Sequence, residues 1–306
     1  MKKHYTGTDI YHFGERVRLK NSDIHIRDPF VLPVMAEKQY YLYGTTGPET
    51  WTHSASGFDY YTGSDLQNWN GPFPAFRPPT GFWADRNFWA PEVHVYRERY
   101  YLFASFKAEG VCRGTQILAA DSPAGPFLPI SDSPVTPHDW ECLDGTLFVN
   151  DHPWIVFCHE WVQVGDGEIC ALRLSDDLKS AVGQPHLLFR ASEAPWAQEI
   201  NSKNRKGYVT DGPSLHRLAN GDLIMLWSSF STGGYTVGIA RSASGGIAGP
   251  WQQMPEPLYA GDGGHCMVFR AFDGQLRLAF HRPNESPNER PLFIPLRENG
   301  SAVEIG

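Results

Sequence analysis

The sequence predicts an all-β fold, a five-bladed β-propeller with blades of four antiparallel strands, occupying residues 1–306 as one domain. Three observations predict it. Short apolar runs separated by turns fill the chain, with no long helical periodicity between them. Acidic or polar residues open successive units at roughly 50 to 65-residue intervals, and a second set of turn-rich segments echoes late in those units.

The strands come from runs such as Tyr40-Tyr41-Leu42-Tyr43-Gly44, Tyr100-Tyr101-Leu102-Phe103-Ala104, Trp154-Ile155-Val156-Phe157-Cys158 and Leu223-Ile224-Met225-Leu226-Trp227. Asn220-Gly221 and Asp273-Gly274 fall between such runs and mark antiparallel hairpins, because both residue pairs accept the left-handed backbone a tight turn requires.

The repeats follow in order. Units open at Asp28-Pro29-Phe30, Pro91-Glu92-Val93, Asp144-Gly145-Thr146, Asp211-Gly212-Pro213 and Gly264-His265-Cys266. Each continues through a strand, a turn and a second strand ending in Ser, Thr, Phe or His. The late echoes include Asp65-Leu66-Gln67-Asn68-Trp69, Asp121-Ser122-Pro123 and Gly249-Pro250-Trp251. A β-sandwich followed by a second all-β domain competes with this reading, but it gives no cause for the recurring openers.

In a propeller the innermost strands line one axis and run in the same direction, so equivalent residues meet around a single funnel. Asp28, Glu92, Asp144, Asp211 and His265 are expected at those positions. Carboxyls gathered in one pocket repel one another. Burial raises the pKa of some while neighbouring cations hold others down, which is the arrangement acid–base chemistry needs.

Composition narrows the ligand. A net charge of −8 without a Lys/Arg cluster disfavours nucleic acid and anionic membrane surfaces, and no apolar run is long enough to span a bilayer. The 10 Trp and 13 Tyr call for a large core or a ring-stacking surface, which suits a neutral sugar. No apolar segment follows Lys2 and Lys3, and the five cysteines lack CxxC spacing, so free thiols and a cytoplasmic location are expected. No HxH or HExxH arrangement suggests a catalytic metal. Assembly state has no signature in the sequence.

Arg27-Asp28-Pro29-Phe30, Trp89-Ala90-Pro91-Glu92-Val93, Leu143-Asp144-Gly145-Thr146-Leu147-Phe148, Asp211-Gly212-Pro213 and Gly264-His265 resemble, in order and spacing, the markers of glycoside hydrolase family 43. The resemblance covers nearly the whole chain. It implies an inverting, exo-acting hydrolase that releases a terminal furanose or pentose from oligosaccharides, similar to α-L-arabinofuranosidases, β-xylosidases or β-galactofuranosidases. Carried onto this chain, it implies Asp28 as the base that activates water, Asp144 as the residue that orients and tunes the acid, and Asp211 as the acid. The family usually shows Glu before Gly-Pro, and Asp211 is one methylene shorter, so Glu199 and Glu160 stand as alternative acids. Glu92, Trp89, Phe88, Trp51 and His265 are the expected substrate contacts. His265 is also the expected ligand of a structural Ca²⁺ or Na⁺ in the central channel, with no cofactor needed for catalysis. An endo-arabinanase-like hydrolase and a carbohydrate-binding propeller without catalysis are the alternative functions.

Overall fold

The structure, a computed structural model, describes residues 18–46, 55–202 and 204–306. Its strands form five antiparallel sheets arranged as a five-bladed β-propeller with almost no helix. The innermost strands are Ile26–Val34, Arg86–Tyr96, Cys142–Val149, Asp211–Arg217 and Gly264–Arg270, for blades one to five respectively. Blades two to five have the expected four strands. Blade one carries a fifth, Leu19–Lys20, paired outside Asn68–Phe76. A separate hairpin, Ile200–Ser202 with Arg205–Gly207, lies between blades three and four in sequence.

The uninterrupted apolar runs are the second strands of the blades, and they are apolar at every position because both faces are buried. In blade three, Ile155 and Phe157 enter the core shared with blade two, while Val156 and Cys158 enter the core shared with blade four. Each side chain is 0% exposed. Period-two geometry thus sends successive residues into two different interblade layers. The ring closes without a shared strand. Glu289, fully buried, takes His25 at 2.9 Å and Arg27 at 2.6 Å, and Tyr40 stacks on Phe272 at 4.0 Å between ring centroids.

Every inner strand is bulged at the same place. Pairing with the second strand shifts between Arg27 and Phe30, Trp89 and Glu92, Leu143 and Thr146, Asp211 and Ser214, and Gly264 and Met267. The residue inside each bulge has positive φ: Asp28 54°, Ala90 47°, Asp144 56°, Gly212 49° and His265 50°. Such backbone costs about 1–3 kcal/mol for a non-glycine residue and clusters at functional sites. Here the bulge turns the side chain toward the axis.

This repeat corrects two of the equivalences expected from the sequence. The residue of blade two equivalent to Asp28 is Ala90, not Glu92, and that of blade four is Gly212, with Asp211 one step before it. Gly212 has a clear reason to be glycine: a Cβ there would sit 2.7 Å from the imidazole of His265.

The bulges are tied to their neighbours by the residues that end the second strands. The N–H of Ala90 donates to Thr45 Oγ1 at 2.8 Å, that of Asp144 to Ser105 Oγ at 3.0 Å, that of His265 to Ser228 Oγ at 2.8 Å, and that of Asp28 to His281 Nδ1 at 3.1 Å. In blade four the N–H of Gly212 instead donates to Asp144 Oδ2 at 3.0 Å. The recurring Ser, Thr and His at strand ends are therefore interblade hydrogen-bond acceptors. Ser228→Ala, which leaves the buried His265 amide without a partner, is expected to lower stability by about 1–3 kcal/mol. Chemical denaturation measures it.

Candidate active site

The bulges of blades one, three and five and the residue before the bulge of blade four bring Asp28, Asp144, His265 and Asp211 together at one end of the axis. His265 Nδ1 lies 3.1 Å from Asp28 Oδ1 and 3.7 Å from Asp144 Oδ2. Asp144 Oδ2 also receives the amide of Gly212, the neighbour of Asp211. Around this cluster, Thr45 Oγ1 donates to Asp28 Oδ2 at 2.7 Å and Tyr235 Oη donates to Asp211 Oδ2 at 2.9 Å.

The carboxyls are chemically unequal. Burial by itself would raise Asp28, but the charges of His265 and Arg27 and the Thr45 hydroxyl outweigh it and hold Asp28 below the ordinary aspartate value. Asp28 is therefore an ionised base. Burial pushes Asp144 up to about 8, against the pull of His265 and with repulsion from Asp211 and Asp28 adding to it. Burial likewise pushes Asp211 up to about 6, against His265 and the Tyr235 hydroxyl. Both shifts are upward, and repulsion from Asp211 is among the causes at Asp144, so the two titrate as interacting groups that keep a proton into the neutral range. Asp144 is 6% exposed, whereas Asp211 is only partly buried.

Two histidines complete the set with opposite protonation. Burial disfavours the charged form of His265, yet Asp28, Asp144 and Asp211 together raise its pKa above the usual histidine value. His281 is fully buried, and burial with the nearby Arg27 charge lowers it to about 4. Its hydrogen bonds agree: Nδ1 accepts the Asp28 amide, so the proton resides on Nε2, which donates to Asn284 Oδ1 at 3.2 Å.

The other expected contacts divide. Trp89 stands beside the blade-two bulge, half-buried, with the Arg113 guanidinium 4.4 Å over its ring. Glu92 is 7% exposed and pairs with His94 at 2.9 Å, and its charge acts on His265. Phe88 is a correction: it is 6% exposed and packs on Phe106 at 4.8 Å and Phe58 at 5.9 Å, so it belongs to the core between blades one and two. Its neighbour Trp89 stays outside that buried cluster. Trp51 lies outside the described residues. Of the alternative acids, Glu199 is half-exposed opposite Lys206 at 3.8 Å, and Glu160 is engaged by Arg113.

Among the described residues no group of three or more His, Cys, Asp or Glu is arranged to hold a metal ion. The Nδ1 of His265 is turned to the carboxylates of Asp28 and Asp144. All five cysteines are free.

Tyr235, His281 and Thr45 hold the site residues, and Arg113 holds Glu160, but none was singled out from the sequence. All four sit on second or third strands. Only the polar endings of the second strands hinted at Thr45 and His281.

A propeller that gathers three aspartates of unequal pKa around a buried histidine has the parts of an acid–base glycoside hydrolase. The comparisons agree: the model for glycosyl hydrolases family 43 matches residues 23–297, and the chain belongs to that family. Among solved structures it is similar to an endo-arabinase from Bacteroides thetaiotaomicron, with 44% identity and a TM-score of 0.86 over 92% of this chain and 98% of that one. An endo-1,4-β-xylanase from the same organism shares 26% identity at a TM-score of 0.74, covering 94% and 96%. An α-L-arabinofuranosidase from Lactobacillus brevis shares the fold at 17% identity and a TM-score of 0.73, covering 92% and 94%. No curated protein matches the chain.

Proposed function

We propose that this O-glycosyl hydrolase cleaves arabinofuranosyl linkages in oligosaccharides with inversion of configuration. The observation that carries the mechanism is the division of the carboxyls into one held ionised, Asp28, and a pair that keeps a proton, Asp144 with Asp211. Asp28 takes a proton from water as that water attacks the anomeric carbon. Asp211, the more open member of the pair, gives its proton to the departing glycosidic oxygen. Asp144 secures the amide of Gly212 and, by repulsion, keeps the shared proton on the pair. The choice of arabinose over xylose or galactofuranose is supported by the 44% identity to the Bacteroides endo-arabinase.

Proton NMR of the first product formed from arabino-oligosaccharides tests both parts. The newly formed reducing end is expected with the anomeric configuration opposite to the linkage cleaved; the same configuration would overturn inversion, and turnover only of xylosides or galactofuranosides would overturn the sugar. Product lengths separate release of terminal residues, the expectation from the sequence, from internal cleavage.

The pH dependence follows from the signs. Activity needs Asp28 ionised and the pair protonated, so kcat/KM is expected to fall on the acid side only below the ordinary aspartate range. On the alkaline side it falls as the pair loses its proton between about 6 and 8. Flat activity through pH 9 would remove the pair from the proton-donating role.

A further inference from the structure

Arg113 is a buried charge that the acid–base assignment above does not use. It lies on the third strand of blade two, Val111–Ala120, and is 7% exposed. Its guanidinium engages Glu160, which follows the second strand of blade three, Pro153–His159. The same group lies over the ring of Trp89 and reaches Asn87 Oδ1 at 3.3 Å, while its Nε is buried without a hydrogen-bond partner. One residue therefore touches the bulge region of blade two and the strand end of blade three. Glu160, in turn, is among the charges that act on Asp211.

We infer that Arg113 is a positioning residue for the proton donor: by clamping Glu160 and covering Trp89 it fixes both the wall and the charge that Asp211 meets from blades two and three. The assignment rests on the proposed role of Asp211 as acid. His265, Tyr235, Asp28 and Asp144 also face Asp211, and their contributions are untouched by changes at Arg113. Glu141 accepts the Arg113 amide at 3.0 Å and is matched by Lys107 at 2.6 Å, so that neighbouring pair contributes little net charge. Arg113 with Glu160 is likewise balanced. Removing one partner unbalances it in a known direction, and removing both restores the balance.

The test is a charge cycle read at Asp211 itself, by carbon-13 NMR of the labelled aspartate carboxyls, with the resonance assigned through Asp211→Asn. Glu160→Gln leaves the cation alone and is expected to move the Asp211 midpoint down by about one pH unit. Arg113→Met leaves the anion alone and should move it up by a similar amount. The double variant should return to within a few tenths of wild type. The alkaline limb of kcat on arabino-oligosaccharides should shift in the same order. Arg113→Met leaves a buried charge and carries the greatest folding risk, but Glu160→Gln and the double variant decide the matter without it. Unchanged midpoints in those two, or a shift of the same sign in both, would overturn the inference. Failure of the wild type to hydrolyse any arabinoside would overturn the substrate reading and leave the NMR titration to judge Arg113.

Discussion

Asp28→Asn is expected to lower kcat by about 10³-fold, the loss typical of a missing general base, while the protein stays folded. Asparagine has nearly the same shape, and its side-chain oxygen still accepts the Thr45 hydroxyl that now bonds Asp28 at 2.7 Å. What disappears is the charge. Water in the pocket then has no base, and His265 loses the carboxylate that stands 3.1 Å from its Nδ1. The histidine pKa should therefore fall, because the attraction of Asp28 is among the forces that raise it. Two readouts check the role together: turnover of an aryl arabinofuranoside and titration of the His265 ring protons. Turnover within tenfold of wild type would remove Asp28 as the base, and an unchanged His265 titration would show that the pair does not form in solution.

The repeat of polar openers made the propeller legible because bulge geometry imposes the same local sequence on several blades: a residue at positive φ, followed in four of them by Pro or Gly. Asp28-Pro29, Ala90-Pro91, Asp144-Gly145 and Gly212-Pro213 show this directly. The registers of Glu92 and Asp211 were not legible, since a bulge adds one residue to a strand and side-chain type alone does not say which residue occupies it. Ala90, the true counterpart of Asp28 in blade two, has no chemistry to draw attention. Phe88 and Trp89 illustrate the same limit, since only the pairing register decides which of two adjacent aromatics in a strand joins the core. Tyr235 and Arg113 come from third strands, where no repeated motif marked them. His281 was visible only as one of the polar strand ends, and its part in holding the Asp28 amide depends on the neighbouring blade across the ring closure.

Asp211→Ala is expected to separate substrates by their leaving groups. A sugar alkoxide needs a proton as the glycosidic bond breaks, so hydrolysis of arabino-oligosaccharides should drop by about 10³-fold. A nitrophenolate leaves without help, and the corresponding aryl arabinofuranoside should lose far less, since Asp28 and its water are intact. The alkaline limb should also vanish for the aryl substrate, because no proton on the pair is then required. This pattern bears on the one departure from the family motif, the missing methylene at position 211. The structure places Asp211 against Tyr235 and one residue from the amide that Asp144 receives, and leaves it more exposed than Asp144, so a shorter acid is held at the pocket rather than withdrawn from it. If both substrates instead fell by the same factor, Asp211 would be supporting the fold of the site and the proton would have to come from another carboxyl. Glu160 is then the group to examine, because it is the remaining carboxylate whose charge reaches Asp211 from blade three, and releasing it from Arg113 would be the step that made it a donor.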